Sequence, residues 1–167
     1  GSRLDVTAGL RVERTEVDYS GFEYVDDDES FSPTSGSKDY TNLFPSIIGT
    51  YRLTTRSNLR AAWTNTIARP NFYDLVPYRV VNMADGELSV GNPGLKPTTS
   101  MNFDVMFEQF FPSVGLISAG VFYKDIQDFI FGYTLDDAVD PVTGLVFSEL
   151  SRPENGGAAS ILGFEVA

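Results

Sequence analysis

The residues of this chain that could do chemistry are almost all carboxylates. Its 167 residues include 12 Lys and Arg, 23 Asp and Glu, no His and no Cys. Ser-His-Asp and Cys-His nucleophiles are therefore excluded, as are zinc sites of the usual nitrogen and sulfur type and any disulfide framework. Asp26-Asp27-Asp28-Glu29-Ser30, and Asp136-Asp137 with Asp140, offer the oxygen ligands that calcium takes. They lack the D-x-D-x-D-G spacing of an EF-hand loop, and a charge run in a loop is ordinarily solvated, so neither metal nor cofactor is expected. Paired carboxylates are the catalytic apparatus that remains, and no spacing selects a pair, so the chain reads as a non-enzyme. A formal net charge of −11 argues against nucleic acid as a partner, because phosphate binding needs clustered Lys and Arg.

Without catalysis, the chemistry left is recognition, and the elements that would position it are strands. Leu4, Val6, Ala8, Leu10 and Val12 alternate with Asp5, Thr7, Gly9, Arg11 and Glu13, a period of two. The segment 98–111 repeats the pattern, with Met101, Phe103, Val105 and Phe107 against Ser100, Asn102, Asp104 and Glu108. Leu59, Ala61, Trp63 and Ile67 alternate with Arg60, Ala62, Thr64 and Thr66, and the residues around Ile117–Tyr123 alternate less cleanly. Weaker strands are expected at 42–53, which contains Pro45, and at 158–167. Helical periodicity is nowhere sustained, and no apolar run is long enough for a transmembrane helix. A membrane β-strand remains open, since it crosses on alternation rather than bulk hydrophobicity.

The connections alternate in length: about 20 residues from Ser20 to Tyr40, about 4, about 30 from Ala68 to Pro97, about 3, and about 27 from Phe131 to Gly157. In an antiparallel meander every second connection lies at the same end, so one end has tight turns and the other long loops. That is the layout of an outer-membrane barrel; a soluble β-sandwich binding or adhesion module is the alternative, and shares the alternation but favours short turns at both ends. The expected fold is thus all-β: an antiparallel up-and-down meander of about six strands, too few to close, hence an incomplete sector of a transmembrane β-barrel. Gly1-Ser2 reads as a remnant of recombinant expression, so residues 1–3 are that remnant and a strand start, with one barrel fragment over 4–167. The last residues, Ile161 to Ala167, still alternate, which reads as a cut through a longer protein.

Particular residues add to this. Leu59-Arg60-Ala61-Ala62-Trp63-Thr64-Asn65-Thr66-Ile67-Ala68-Arg69-Pro70 is followed by Gly91-Asn92-Pro93-Gly94-Leu95-Lys96-Pro97, then by Asn102-Phe103-Asp104 with Glu108, then by Val121-Phe122-Tyr123-Lys124-Asp125-Ile126. The ordered set resembles the barrel of TonB-dependent outer-membrane receptors, where R-x-A…A-R-P, G-N-P-x-L-K-P, N-x-D-x-x-x-E and F-Y-K-x-I occur in this order. The resemblance covers about residues 42–167, includes Leu43-Phe44-Pro45-Ser46, and is closest in form to proteobacterial receptors. It implies a Gram-negative outer-membrane receptor that imports a scarce solute (siderophore, cobalamin or oligosaccharide) with energy from the TonB complex. The implied partners are outer-membrane lipid, a plug domain of the same full-length chain, the TonB complex through a missing N-terminal region, and a small-molecule ligand. A passive porin is the third reading.

If the apolar face meets lipid, Arg11, Glu13, Arg60, Asp104, Glu108, Lys124 and Glu165 face the lumen, where they could contact the plug. Ligand contact is expected from the long loops: Phe72, Tyr73, Tyr78, Arg79 and Asn82 supply aromatic faces and hydrogen-bonding groups in the loop from Asn71 to Val90. The G-N-P-G-L-K-P segment reads as a rigid turn that sets register, and Arg69 as a loop anchor. Asp140-Pro141-Val142-Thr143-Gly144 reads as a tight turn at the tip of a small hairpin.

Overall fold

The computed structural model describes residues 3–25, 30–113 and 115–167. Among them are ten strands, all in one sheet: β1 (Leu4–Val25), β2 (Ser30–Arg52), β3 (Ser57–Ala68), β4 (Arg79–Asn82), β5 (Glu87–Val90), β6 (Thr98–Phe111), β7 (Gly115–Gln127), β8 (Ile130–Val139), β9 (Val146–Asn155) and β10 (Ala158–Val166). Six of them, in the order β10-β7-β6-β3-β2-β1, are the expected antiparallel meander, a curved wall that does not close. A single sheet leaves no second layer for a sandwich to pack against, which sets the soluble sandwich aside.

The register turns the alternation of each strand into horizontal rows. Ala8 pairs with Ile47, Ile47 with Trp63, Trp63 with Phe103, Phe103 with Tyr123, and Tyr123 with Leu162. The next row reads Val6, Gly49, Ala61, Val105, Val121 and Phe164, and the one after it Leu4, Tyr51, Leu59, Phe107, Ala119 and Val166. One face of the wall is therefore apolar across six strands, and Trp63, Phe103 and Tyr123 form an aromatic stretch of it. Apart from the half-buried Trp63, the large side chains of these rows stay exposed in the isolated sector, Leu162 to 79% and Phe164 to 81%, as expected of a face whose natural solvent is not water.

The upper limit of that face is marked by charge. On β1 the apolar positions run from Leu4 to Val12 and the next residue outward is Arg14; on β7 they end at Tyr123 and the next is Asp125. Tyr123 lies on the row of Ala8, so the limit falls by the four residues from Val12 to Ala8 over four strand-to-strand steps. Four residues span about 13 Å and four steps about 19 Å, which gives a strand tilt of about 35°, the value of outer-membrane barrels.

Pro45 sits inside β2 without breaking it. It has no N–H to give, and the ladder between β2 and β3 starts two residues further on, at Ile47 and Trp63. The Pro45 carbonyl instead accepts the Asn65 side-chain amide at 2.9 Å.

Above the charged limit the structure departs from the sequence reading. The stretch from Ser20 to Tyr40 is not an open loop: β1 continues to Val25 and pairs with β2 from Ser30 onward, a hairpin that stands well clear of the apolar band. Here polarity is reversed, with Arg14, Glu16, Asp18 and Asp39 on the outer side and Thr15, Val17, Tyr19, Lys38 and Tyr40 on the inner. Arg14 bridges to Asp39 at 2.6 Å. Gly36 lies opposite Tyr19, whose ring occupies the place a side chain there would take.

The other two long connections are likewise structured. The one after β3 contains a single helical turn, α1 (Phe72–Leu75), and the hairpin β4–β5; the one after β7 is the hairpin β8–β9, with Asp140 to Gly144 at its tip as expected. These hairpins extend the sheet by parallel pairing, β4 against β1 and β5 against β9.

Candidate functional site

The long-connection end of the wall carries a layer built on its own small core. Val81 and Leu88 from β4–β5 pack with Phe147 and Leu150 from β8–β9, all four buried. Beside them Arg79 donates from both terminal nitrogens to the two oxygens of Asp140, each at 2.8 Å. Asp140 is 1% exposed and the Arg79 side chain 11%. The carboxylate also accepts the backbone N–H groups of Val142 and Thr143, at 3.1 and 3.0 Å, and the Thr143 hydroxyl. The Arg79 guanidinium, the Thr143 hydroxyl and these backbone donors hold the Asp140 carboxyl far below the usual range, outweighing the burial that would raise it. Of the acidic clusters, Asp26 to Glu29 lie outside the described residues, Asp136 and Asp137 are exposed, and Asp140 is the partner of Arg79.

The five residues expected at the ligand have different tasks here. Asn71 caps α1 by accepting the Tyr73 N–H at 3.1 Å, which leaves Phe72 and Tyr73 on the surface, 72% and 60% exposed. Tyr78 is half-buried beneath Tyr73, their ring centroids 4.6 Å apart, and burial pushes its hydroxyl pKa up. Arg79 is engaged by Asp140, and Asn82 closes the β4–β5 turn through the side chain and N–H of Asp85, at 2.6 and 3.2 Å. A cleft of about 410 Å³ opens next to Tyr78, with Asp74, Tyr78 and Ser89 on one side and Tyr133, Ser151 and Arg152 on the other.

The G-N-P-G-L-K-P turn joins this layer to the wall. The Asn92 side chain accepts from the Gly94 N–H at 2.9 Å and donates to the Pro153 carbonyl at 3.0 Å. Asn155 of β9 accepts the Lys96 N–H at 2.8 Å and donates to the Lys96 carbonyl at 3.0 Å. From the inner side of β2, Lys38 donates to the Pro93 carbonyl at 3.2 Å and to the Leu95 carbonyl, and burial lowers its pKa. Leu95 itself is fully buried. Gly91 has no alternative at its position, because a Cβ there would stand 1.8 Å from the Val76 carbonyl oxygen. The Lys96 ammonium, by contrast, is exposed and 3.7 Å from Asp128.

Register places all seven of the charges expected in the lumen on the face opposite the apolar rows. Glu13 bridges Arg11 at 3.0 Å and is also paired with Arg69, whose Nε donates to the Thr15 hydroxyl at 3.0 Å. Arg11 lies 4.8 Å over the Phe44 ring and Lys124 5.7 Å over that of Phe122. Glu108 is buried, 3.1 Å from Arg60 and 3.4 Å from the Asn58 amide. Asp104 and Glu165 are exposed and have no ion-pair partner among the described residues.

Lys38, and the pairing of Asp140 with Arg79, are what sequence reading missed. Lys38 left no local signal, as its partners are 55 and 57 residues away. Asp140 did: an Asp three residues before a Thr in a turn is positioned to collect the N–H groups that follow it.

A tilted, twisted wall with one apolar and one polar face, short turns at one end and a tall folded layer at the other, is the architecture of an outer-membrane β-barrel. The TonB-dependent receptor-like β-barrel family model matches residues 1–167, and the chain belongs to that family, whose members are transporters rather than enzymes. Among solved structures it is similar to the hemophore receptor HasR of Serratia marcescens, solved with its hemophore HasA and heme, with a TM-score of 0.68 and 16% identity over 98% of this chain and 28% of that one. The siderophore receptor PirA of Pseudomonas aeruginosa gives 0.62 and 19% over 95% of this chain and 30% of that one. The ferric enterobactin receptor PfeA of the same organism gives 0.60 and 23% over 81% and 22%. The chain thus spans under a third of each receptor, and at these identities the likeness is one of fold. No curated protein sequence matches the chain.

Proposed function

We propose that the chain is a wall sector of a Gram-negative outer-membrane receptor that imports a scarce solute with energy from the TonB complex. The observation that carries this reading is the match between the nine-residue apolar stretch from Leu4 to Val12, its counterparts along the rows, and the folded layer above it. At a tilt of about 35° nine residues rise about 22 Å, close to the apolar band of about 25 Å that outer-membrane barrels present to lipid. The layer above is then extracellular. Phe72, Tyr73 and Tyr78 offer aromatic surface to an arriving ligand beside the cleft, while Arg79 and Asn82 hold that surface in shape. The inner charges Arg11, Glu13, Arg60, Asp104, Glu108, Lys124 and Glu165 face the lumen, where a plug domain supplied by the full-length chain would dock; Asp104 and Glu165 await cations from it.

The substrate class is a metal chelate of the siderophore or heme kind, cobalamin or an oligosaccharide. The similar receptors favour the first, since they are siderophore, enterobactin and hemophore receptors. Uptake by cells expressing the full-length receptor, offered radiolabelled ferric siderophores, heme, cobalamin and maltooligosaccharides in turn, tests the reading. Accumulation of one of these that stops when TonB is deleted is the expected result. Accumulation indifferent to TonB would make the protein a passive porin.

A further inference from the structure

The hairpins β4–β5 and β8–β9 spring from two different connections of the wall, yet they are built into one sheet. We propose that they form a single body assembled before any ligand arrives, and that Arg79 and Asp140 are the positioning residues that hold it together. This rests on the reading of the upper layer as the ligand-facing one.

Three features of the join support it. Its backbone is a parallel pairing, Glu87 with Glu149, Leu88 with Leu150 and Ser89 with Ser151. Beneath it each hairpin contributes two side chains to a shared buried core. At its flank the Arg79–Asp140 pair is bidentate and almost wholly out of water, the arrangement in which loss of one partner strands a buried charge. The surface of the join works the other way. Glu87 lies beside Glu149, and Glu149 beside Asp136, so three carboxylates occupy neighbouring places on three strands. Like charges directly opposed weaken strand pairing. The hairpins are therefore held from within, by the apolar core and the buried ion pair, against repulsion at the surface.

The consequence for recognition follows from the walls of the cleft. Asp74, Tyr78 and Ser89 belong to the connection after β3, and Tyr133, Ser151 and Arg152 to the one after β7, so the cleft exists only while the two are joined. A ligand does not gather two mobile loops here. It meets a finished surface, and Arg79 acts on it through position rather than by contact.

The sector contains no cysteine, which makes engineered pairs unambiguous within it. In the full-length receptor, in outer-membrane vesicles without added ligand, Glu87→Cys with Glu149→Cys is oxidised mildly and followed by disulfide formation. Ser89→Cys with Ser151→Cys, two residues along the same join, repeats the measurement at a second position. Near-complete cross-linking of either pair is expected, with the unheated receptor keeping the gel mobility of a folded barrel. Adding Asp140→Asn or Arg79→Met should slow cross-linking at least tenfold while that mobility persists, and Arg79→Lys, which keeps the charge but loses the two-nitrogen fork, should fall between. No cross-link at either position, or equal rates with and without the ion pair, would overturn the proposal. Transport is read separately on the unmodified receptor, so a failure of the import reading leaves this result standing.

Discussion

Placing one arginine at three neighbouring positions of β1 measures which solvent each face of the wall meets. Ala8 is halfway along the apolar stretch from Leu4 to Val12, on the row of Trp63 and Phe103; Val12 is its last member before Arg14; Thr7 is on the opposite face. With a rise of about 22 Å for the stretch, Ala8 is about 11 Å from either limit, near the bilayer midplane. Arginine on the lipid face costs about 2–4 kcal/mol at the midplane and about 0–1 near the interface. Ala8→Arg should therefore destabilise the receptor by about 3 kcal/mol, and Val12→Arg by under about 1 kcal/mol. Thr7→Arg, beside Asp5 on the polar side, should stay within about 0.5 kcal/mol of the parent, as substitutions in solvent do. The assay is reversible denaturant unfolding of the full-length receptor into and out of phospholipid vesicles. Equal costs at Ala8 and Thr7 would refute the assignment of faces, and a Val12 variant as costly as the Ala8 variant would refute the tilt and depth.

Three further outcomes follow from the upper layer. Because the folded-state pKa of Asp140 is depressed, its stabilisation is complete above the ordinary carboxylate pKa of about 4 and drains away only as pH falls below that value. Proteolysis of the β8–β9 hairpin should thus be flat from neutral pH down to mildly acidic pH and rise in stronger acid, and Asp140→Asn should abolish that acid limb. Lys38→Met leaves the Pro93 and Leu95 carbonyls without their donor at a cost of about 1–3 kcal/mol, read as faster amide exchange at residues 91–97 with the apolar rows unchanged. Gly91→Ala drives a methyl group into the Val76 carbonyl oxygen and should cost about 3 kcal/mol, seen as a lower temperature for proteolytic release of the layer.

The sequence disclosed the wall and concealed what stands on it, for a physical reason. Each wall strand meets lipid on one side and water on the other, so Leu4 to Val12 and Phe103 to Phe107 alternate strictly and their faces can be assigned by parity alone. The upper parts of β1 and β2 turn their outer side to water and their half-buried inner side to polar partners such as the Pro93 and Leu95 carbonyls, so no apolar alternation is needed, and the run of Ser, Gly and Asp there resembles a loop. What orders it is pairing across the chain, Tyr19 over Gly36 and Val17 beside Lys38, which no local window contains. The site divides in the same way. Asn92 and the turn at Asp140 were legible because their first bonds are to near neighbours, whereas the helical turn capped by Asn71 is too short to show a period, and Arg79 reads as a free loop cation until Asp140, 61 residues on, is seen beside it.

The account turns on which end of the wall faces the outside of the cell. Val142, at the tip of the β8–β9 hairpin, is 72% exposed, and Arg56 lies in the short turn between β2 and β3 at the opposite end. In cells expressing the full-length receptor with Val142→Cys or Arg56→Cys, labelling by a membrane-impermeant maleimide compares the two positions. The expected result is that Val142→Cys labels in intact cells and Arg56→Cys only after the outer membrane is opened. Labelling of Arg56→Cys in intact cells, with Val142→Cys protected, would contradict the account.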